Sequence, residues 1–315
     1  MGYKNAIDQL NTVRIGGINQ YILERGDNKE NPVVLFLHGG PGNAQIGYMP
    51  QYQKELEREF VVVNWDQRGA GLSYSEDIPK ETMNLEQFLK DTVEVTNYLR
   101  EKYNKDKIYL IGHSWGTILG MNVIYKHPEL YNSYIGIGQV ADMMKGETVV
   151  YNFVKEMALK NDNKEALQEI EQVDLPPYKK PLENIQTIRK WVNEYDGVMK
   201  NGELGPVMYK GMESSNYYNE EDIKNWEQGS GFNVMNLLDE MLTANPYEEI
   251  KEVKVPVAFF GGRHDYTTPS KTALEYLEHL KAPHKEFVWF ENSAHMPMIE
   301  EWNKFSDEVL RVFKK

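Results

Sequence analysis

The stretch IYLIGHSWGTILG, residues 108–120, sets Ser114 between Gly112 and Gly116 where an apolar run gives way to a helix-forming one. A strand ending and a helix starting within so few residues force a sharp turn. Glycines two before and two after the serine give that turn room to hold the hydroxyl out above a sheet. The free N–H groups of the following helix then point at the same place, where a developing oxyanion would be stabilised. The chemistry this suggests is nucleophilic attack on a carbonyl. A hydroxyl attacks poorly until a base takes its proton, and the base needs an acid to orient it.

Seven histidines could supply the base. His113 adjoins the serine and is badly placed to reach its own neighbour's hydroxyl, while His127, His279 and His284 read as helix ends or surface. His295, in ENSAHMP, follows the apolar run EFVWF (286–290), which puts its loop at the C-terminal edge of a sheet, the edge expected for Ser114. Asp265, in GGRHDYTTP, follows the run VPVAFF at that same edge. Asp142 also follows a strand-like run and competes for the acid's role; Asp265 is favoured. The oxyanion needs two donors, one of them the backbone N–H of Trp115. The other should come from the loop after PVVLFLH, which reads His38-Gly39-Gly40-Pro41-Gly42. Its glycines let backbone approach a substrate, and Pro41 fixes the turn. Asp66, Gln67 and Arg68 also follow a strand-like run, and the Asp and Arg are read as pinning the loop beneath the site.

These residues need a scaffold that brings several strand ends together. A hairpin is expected first, TVRIGGINQYILE, turning at Gly16-Gly17. Short apolar runs at 32–38 and 60–66, then IYLIG, SYIGIG, VPVAFFGG (255–262) and EFVWF, read as buried strands. Helical patterns separate them, notably at 85–103, after Ser114 as far as Pro128, at 270–280, and from about 297 onward. Strands alternating with helices predict an α/β fold with a mostly parallel central sheet covered on both faces. The rhythm stops near residue 140 and resumes near 250. The expected organisation is therefore a core of 1–140 and 250–315 with a helical cap, 141–249, inserted after the sixth strand and suited to act as a lid.

Composition narrows the function. A formal net charge of −13 argues against nucleic acid or an anionic membrane surface as partner, since both require clustered Lys and Arg. With no cysteine, there is no disulfide framework, thiolate metal site or Cys nucleophile. HExxH, phosphate-loop and dinucleotide fingerprints are absent, so neither a metal nor another cofactor is expected. The start, MGYKNAIDQLNTV, lacks the basic and apolar blocks of a signal peptide, and no apolar run approaches the roughly 20 residues that span a bilayer. A cytoplasmic location is expected. Oligomeric state is not legible.

Five segments, HGGPG (38–42), NWDQRGAGLS (64–73), GHSWG (112–116), GGRHDYTTP (261–269) and NSAHMP (292–297), together resemble the proline iminopeptidase branch of the α/β-hydrolase superfamily. The resemblance spans both core segments in the right order and implies an α/β-hydrolase fold. It further implies release of an N-terminal residue, typically proline, from short peptides without a metal. By that likeness Ser114, Asp265 and His295 form the triad, and Gly40 and Trp115 supply the oxyanion donors. In aminopeptidases of this branch acidic side chains bind the substrate's amino group, in some members through the residue after the catalytic aspartate; here that residue is Tyr266. Other candidate carboxylates are Glu203, Glu213 and Glu227 in the cap. The cap also carries aromatics, Trp191, Tyr195, Tyr209, Tyr217, Tyr218, Trp226 and Phe232, that could line a pocket or pack the cap onto the core. Gly39, Glu213, Trp226 and Tyr266 are the candidate substrate contacts. A small-molecule or short-peptide substrate is expected, with an esterase, amidase or lactonase as the alternative activity and a non-catalytic ligand receptor as the alternative class.

Overall fold

The computed structural model describes residues 5–314. Its centre is one eight-stranded sheet: β1 (Ile7–Ile15), β2 (Ile18–Gly26), β3 (Val33–Leu37), β4 (Val61–Asp66), β5 (Ile108–His113), β6 (Tyr131–Ile137), β7 (Val257–Gly262) and β8 (Lys285–Phe290). The spatial order is β1-β2-β4-β3-β5-β6-β7-β8. The first two strands form an antiparallel hairpin, and β2 pairs antiparallel with β4. Every later pairing is parallel.

The hairpin turns at Gly16 and Gly17, with φ of 54° and 82° that favour glycine. Its first strand begins at Ile7, earlier than the expected start at Thr12. Asp8, Gln9 and Leu10 are exposed on this edge strand, so no apolar alternation announced them; the ladder to β2 holds them instead.

All residues of β3, β4 and β7 are buried, as continuous Val- and Phe-rich runs require when both faces are covered. Alternate residues feed two cores. Val33, Leu35 and Leu37 join Val61, Val63 and Trp65 on one face, against Phe88 and Leu99 of the helix Leu85–Lys102. Val34, Phe36 and Val62 face the other way, toward Leu56, Phe60 and Phe313.

Strand β3 lies between β4 and β5, so the chain reverses its direction of travel across the sheet there. Loops leaving adjacent parallel strands at such a point diverge and leave a crevice. The loop after β3 and the turn after β5 are therefore neighbours although about 75 residues separate them in sequence. Between β6 and β7 the described residues add no strand to the sheet, and the named elements there are the helices Met143–Lys160, Lys164–Ile170, Pro181–Glu194, Leu204–Glu213, Glu220–Thr243 and Pro246–Glu249. The last helical region is two pieces, Pro297–Glu300 and Trp302–Phe313, rather than one helix.

Candidate active site

Ser114 stands between β5 and the helix Trp115–Lys126 with φ 52° and ψ −118°, a conformation that a residue with a side chain adopts only under constraint. The constraint is visible. Its N–H donates to Ile137 O at 3.0 Å, and its carbonyl accepts from Thr117 N at 2.8 Å and Thr117 Oγ1 at 2.6 Å. Gly116 lets the turn close, because a Cβ there would stand 2.1 Å from Leu37 O. The strain, about 1–3 kcal/mol, is thus held by β6 and by backbone crowding against β3.

Asp265 and His295, on the loops after β7 and β8, form a buried pair with Nδ1 of the imidazole 2.9 Å from Asp265 Oδ2. The other carboxylate oxygen, Oδ1, accepts backbone N–H groups of Thr267 at 2.8 Å and Thr268 at 2.9 Å. Thr268 Oγ1 donates to Gly138 O at 3.0 Å, which ties this loop to the end of β6. A carboxylate so saturated is fixed in position and orients the imidazole. Asp142, the competing acid, is committed elsewhere: it caps the helix Met143–Lys160 through Lys145 N at 2.9 Å and accepts from Asn245 Nδ2 at 3.0 Å.

The loop after β3 closes over the serine. A Cβ on Gly39 would lie 3.1 Å from Ser114 Cβ and 2.9 Å from His113 Nδ1, so a larger residue would force a neighbour to shift. Gly40 has φ 116°. His38 is buried and organises the loop from below. Its Nε2 accepts from Gln67 N at 3.1 Å, so the ring proton sits on Nδ1, 2.9 Å from Gly39 O. Burial holds the His38 imidazole down at about 4, opposed only by that bond to Gly39, so the ring stays neutral. Gln67 carries the connection onward, donating from Nε2 to His38 O at 3.1 Å and accepting from Trp115 Nε1 at 3.3 Å. One side chain therefore links the two peptide segments expected to hold an oxyanion.

Arg68 and Asp91 form a fully buried bidentate pair, Nε to Oδ2 at 2.8 Å and Nη2 to Oδ1 at 3.1 Å. Gln20 and Gln87 donate to the same carboxylate, and Arg68 Nη2 also reaches Gly16 O at 2.7 Å. Asp66 accepts from Ile46 N and Leu72 N at 3.3 and 3.1 Å, and from the Tyr218 hydroxyl. Burial pushes the Asp66 carboxyl up to about 7 despite these bonds. Arg68 and Asp66 both brace the loop after β4.

The remaining candidates scatter. Gly39 borders Ser114, and Tyr266 stacks on Phe153 with ring centroids 3.6 Å apart. Trp226 is buried and donates Nε1–H to Ala44 O at 2.8 Å, fastening the helix Glu220–Thr243 to the core. Glu203, Glu213 and Glu227 are exposed, and Glu227 accepts the Tyr209 hydroxyl. The buried carboxylate of this segment is Glu147, which binds Arg189 and, at 2.9 Å, Tyr178 Oη.

Two contributors escaped sequence reasoning. Thr268 bridges β6 and the Asp265 loop, and its place three residues after Asp265 in a turn sequence was the available signal. Glu300 accepts Ala294 N at 2.8 Å and Lys200 N at 2.6 Å, joining the His295 loop to the segment that also receives Tyr266 N and His295 N, at Gly197 O and Val198 O. Burial raises its carboxyl, and nothing in the local sequence marks it. Among the described residues no group of three or more His, Asp or Glu side chains could hold a metal ion, and no helix is long and apolar enough to cross a membrane.

Known proteins share this fold. The family model described as alpha/beta hydrolase fold matches residues 32–301. A Bacillus subtilis (strain 168) protein named probable aminopeptidase YbaC is 36% identical over 313 residues, 98% of this chain and 97% of its own. The proline iminopeptidase of Heyndrickxia coagulans is 28% identical over 87% of this chain and 88% of its own. Among solved structures, proline iminopeptidase from Mycobacterium smegmatis superposes with a TM-score of 0.72 at 17% identity, covering 97% of this chain and 98% of that one. A 2-hydroxy-6-oxo-6-phenylhexa-2,4-dienoate hydrolase from Rhodococcus sp. strain RHA1 gives 0.67 at 20% identity, covering 99% and 100%. Its sheet order, its strained turn and these matches agree: the chain belongs to the α/β-hydrolase fold family and is a hydrolase.

Proposed function

We propose that the protein is a serine hydrolase working through an acyl-enzyme, with an aminopeptidase activity of the proline iminopeptidase kind on short peptides. The observation that carries the catalytic part is the Asp265–His295 pair at 2.9 Å, at the same sheet edge as the strained turn of Ser114. Ser114 Oγ attacks the carbonyl carbon while its proton passes to His295 Nε2, and Asp265 stabilises the imidazolium through Nδ1–H. Negative charge building on the carbonyl oxygen falls between the N–H groups of Trp115 and Gly40. The imidazolium then gives its proton to the leaving amine. Water, deprotonated by His295, attacks the acyl carbon, and the returning proton restores Ser114.

The aminopeptidase part rests on the relatives that carry that name, above all the one 36% identical over nearly the whole chain. In this reading residues 141–249 are the cap that covers the serine, and Gly39, Trp226 and Tyr266 border the substrate.

A second reading, an esterase, amidase or lactonase, is favoured by the cap carboxylates. Glu203, Glu213 and Glu227 are exposed, Tyr266 replaces an acid with a stacked ring, and Glu147 is already paired to Arg189. A substrate ammonium taken out of water needs a carboxylate to meet it. Proline anilide, its N-blocked form and short acyl esters separate the two readings. The aminopeptidase reading expects hydrolysis of the free-amine anilide to exceed that of the blocked form by at least about 100-fold, some 3 kcal/mol. Equal rates with both, or turnover of esters alone, would overturn it in favour of the second.

A further inference from the structure

His113 immediately precedes the serine, and sequence reasoning sets it aside because it cannot reach its neighbour's hydroxyl. The structure gives it a different contact. Its imidazole lies against that of His295, with ring centroids 4.6 Å apart and planes inclined by 45°. Its Nε2 is 3.1 Å from His295 O. A carbonyl can only accept, so the His113 proton sits on Nε2 and is donated to the backbone of the residue expected to be the base. The ring is buried, one flank pressed on Gly39 of the loop after β3. It therefore touches three pieces of the site at once: the strand leading to Ser114, the loop expected to hold the oxyanion, and the loop bearing His295.

We infer that His113 is a positioning residue for the general base: its Nε2–H bond to His295 O and its ring face fix the height and tilt of the His295 imidazole over Ser114. This rests on the proposed role of His295. Two features suit the task. The His295 loop leaves β8 and has no regular ladder to steady it, but its backbone is held on both sides, by His295 N to Val198 O at 2.9 Å and by His295 O to His113. The neighbouring ring must also stay uncharged, because a second cation would oppose the imidazolium formed during attack. Burial, reinforced by the nearby His295 and His38 rings, holds the His113 imidazole well below its usual range, and the bond to His295 O does not offset it. His295 and His38 are the titratable groups that act on it. A base displaced by about an ångström loses alignment with the proton it must take, at a cost of up to about 100-fold in rate.

The test compares His113→Gln, whose amide N–H can reach the same carbonyl, with His113→Leu, which fills space without donating. Each is assayed for kcat, KM and thermal unfolding on an ester or anilide that the wild type turns over. Wild type and Ser114→Ala are treated in parallel with a fluorophosphonate. The inference expects His113→Leu to lose about 10- to 100-fold in kcat with KM within about twofold, and His113→Gln to recover to within about threefold of wild type. Equal kcat in His113→Leu and wild type would overturn it, as would a His113→Gln variant that folds and is slower than wild type by more than about tenfold. If His113→Leu does not fold, the glutamine variant decides alone by the same limits. Failure of the underlying reading is distinct: the wild type would then remain unlabelled by the fluorophosphonate whatever His113 does.

Discussion

The loops that follow β3, β5, β7 and β8 hold their candidate reactive groups by backbone hydrogen bonds and by turns that few residues can make. Ser114 sits at φ 52°, Asp265 is saturated by two N–H groups, and Gly39 approaches so closely that a Cβ would crowd His113 and Ser114. The segment between β6 and β7 meets the core differently, through side chains such as Trp226 on Ala44 O and Tyr218 on Asp66 beside a few backbone bonds at Gly197 and Val198. Its carboxylates are exposed or already paired. The contrast teaches that two kinds of information are stored apart. In the proposed function, reaction chemistry resides in strand ends, where sheet topology fixes direction and spacing. Substrate choice, in the same proposal, would lie in the segment between β6 and β7, several of whose contacts to the core are single side chains that can be exchanged one at a time.

Substitutions can break this contrast, beginning with the largest effect. Ser114→Ala removes the proposed nucleophile and should lower kcat by about 10⁴- to 10⁶-fold, read by steady-state kinetics, while the thermal midpoint stays near wild type. Arg68→Met should leave Asp91 buried without its cation and cost about 3–5 kcal/mol in denaturant unfolding. A loss under about 1 kcal/mol would mean that this pair does not brace the core loops.

Asp66 tests the seam between core and inserted segment through pH. Its folded carboxyl titrates at about 7 against an ordinary 3.8, so between those values the native state keeps a proton that the unfolded chain has released. Its contribution to stability therefore declines as pH rises from about 4 to 7, by on the order of 1–4 kcal/mol. His38 works the other way. With a folded value of about 4 against 6.5, its native state binds fewer protons in that interval, and its contribution grows as pH rises. The two partly cancel in the wild type. Asp66→Asn should remove the falling component, so that unfolding free energy measured from pH 4 to 6.5 climbs more steeply than in wild type. Parallel profiles would contradict the burial assigned to Asp66.

The smallest expected effect falls in the inserted segment. Glu213→Gln should change kcat/KM by less than about twofold on any substrate, because an exposed charge interacts weakly through water. A loss of about tenfold confined to free-amine substrates would instead place Glu213 at the amine when substrate is bound.

What could be read from sequence follows the same division. The strand ends were legible because apolar runs such as VVLFL and VVVNWD must lie in a covered parallel sheet, and a serine between glycines at such an end has few other uses. Gln67 and Thr268 were harder, since their roles depend on partners 48 and 130 residues distant, Trp115 and Gly138. Edge strand β1 lacked a pattern over its first residues because its support is a ladder, not burial. In the inserted segment helical periodicity was plain, but periodicity does not say which face of Glu220–Thr243 meets the core. Trp226 fastens that helix to Ala44, a contact between residues 182 positions apart that only tertiary packing reveals.

The most direct measurement is the mass and site of covalent labelling by a fluorophosphonate on the intact wild-type protein. The account predicts one adduct per chain, mapped to the peptide bearing Ser114, with loss of hydrolytic activity in step with labelling and no adduct in Ser114→Ala. An active enzyme that stays unlabelled, or carries its adduct on another residue, would contradict it.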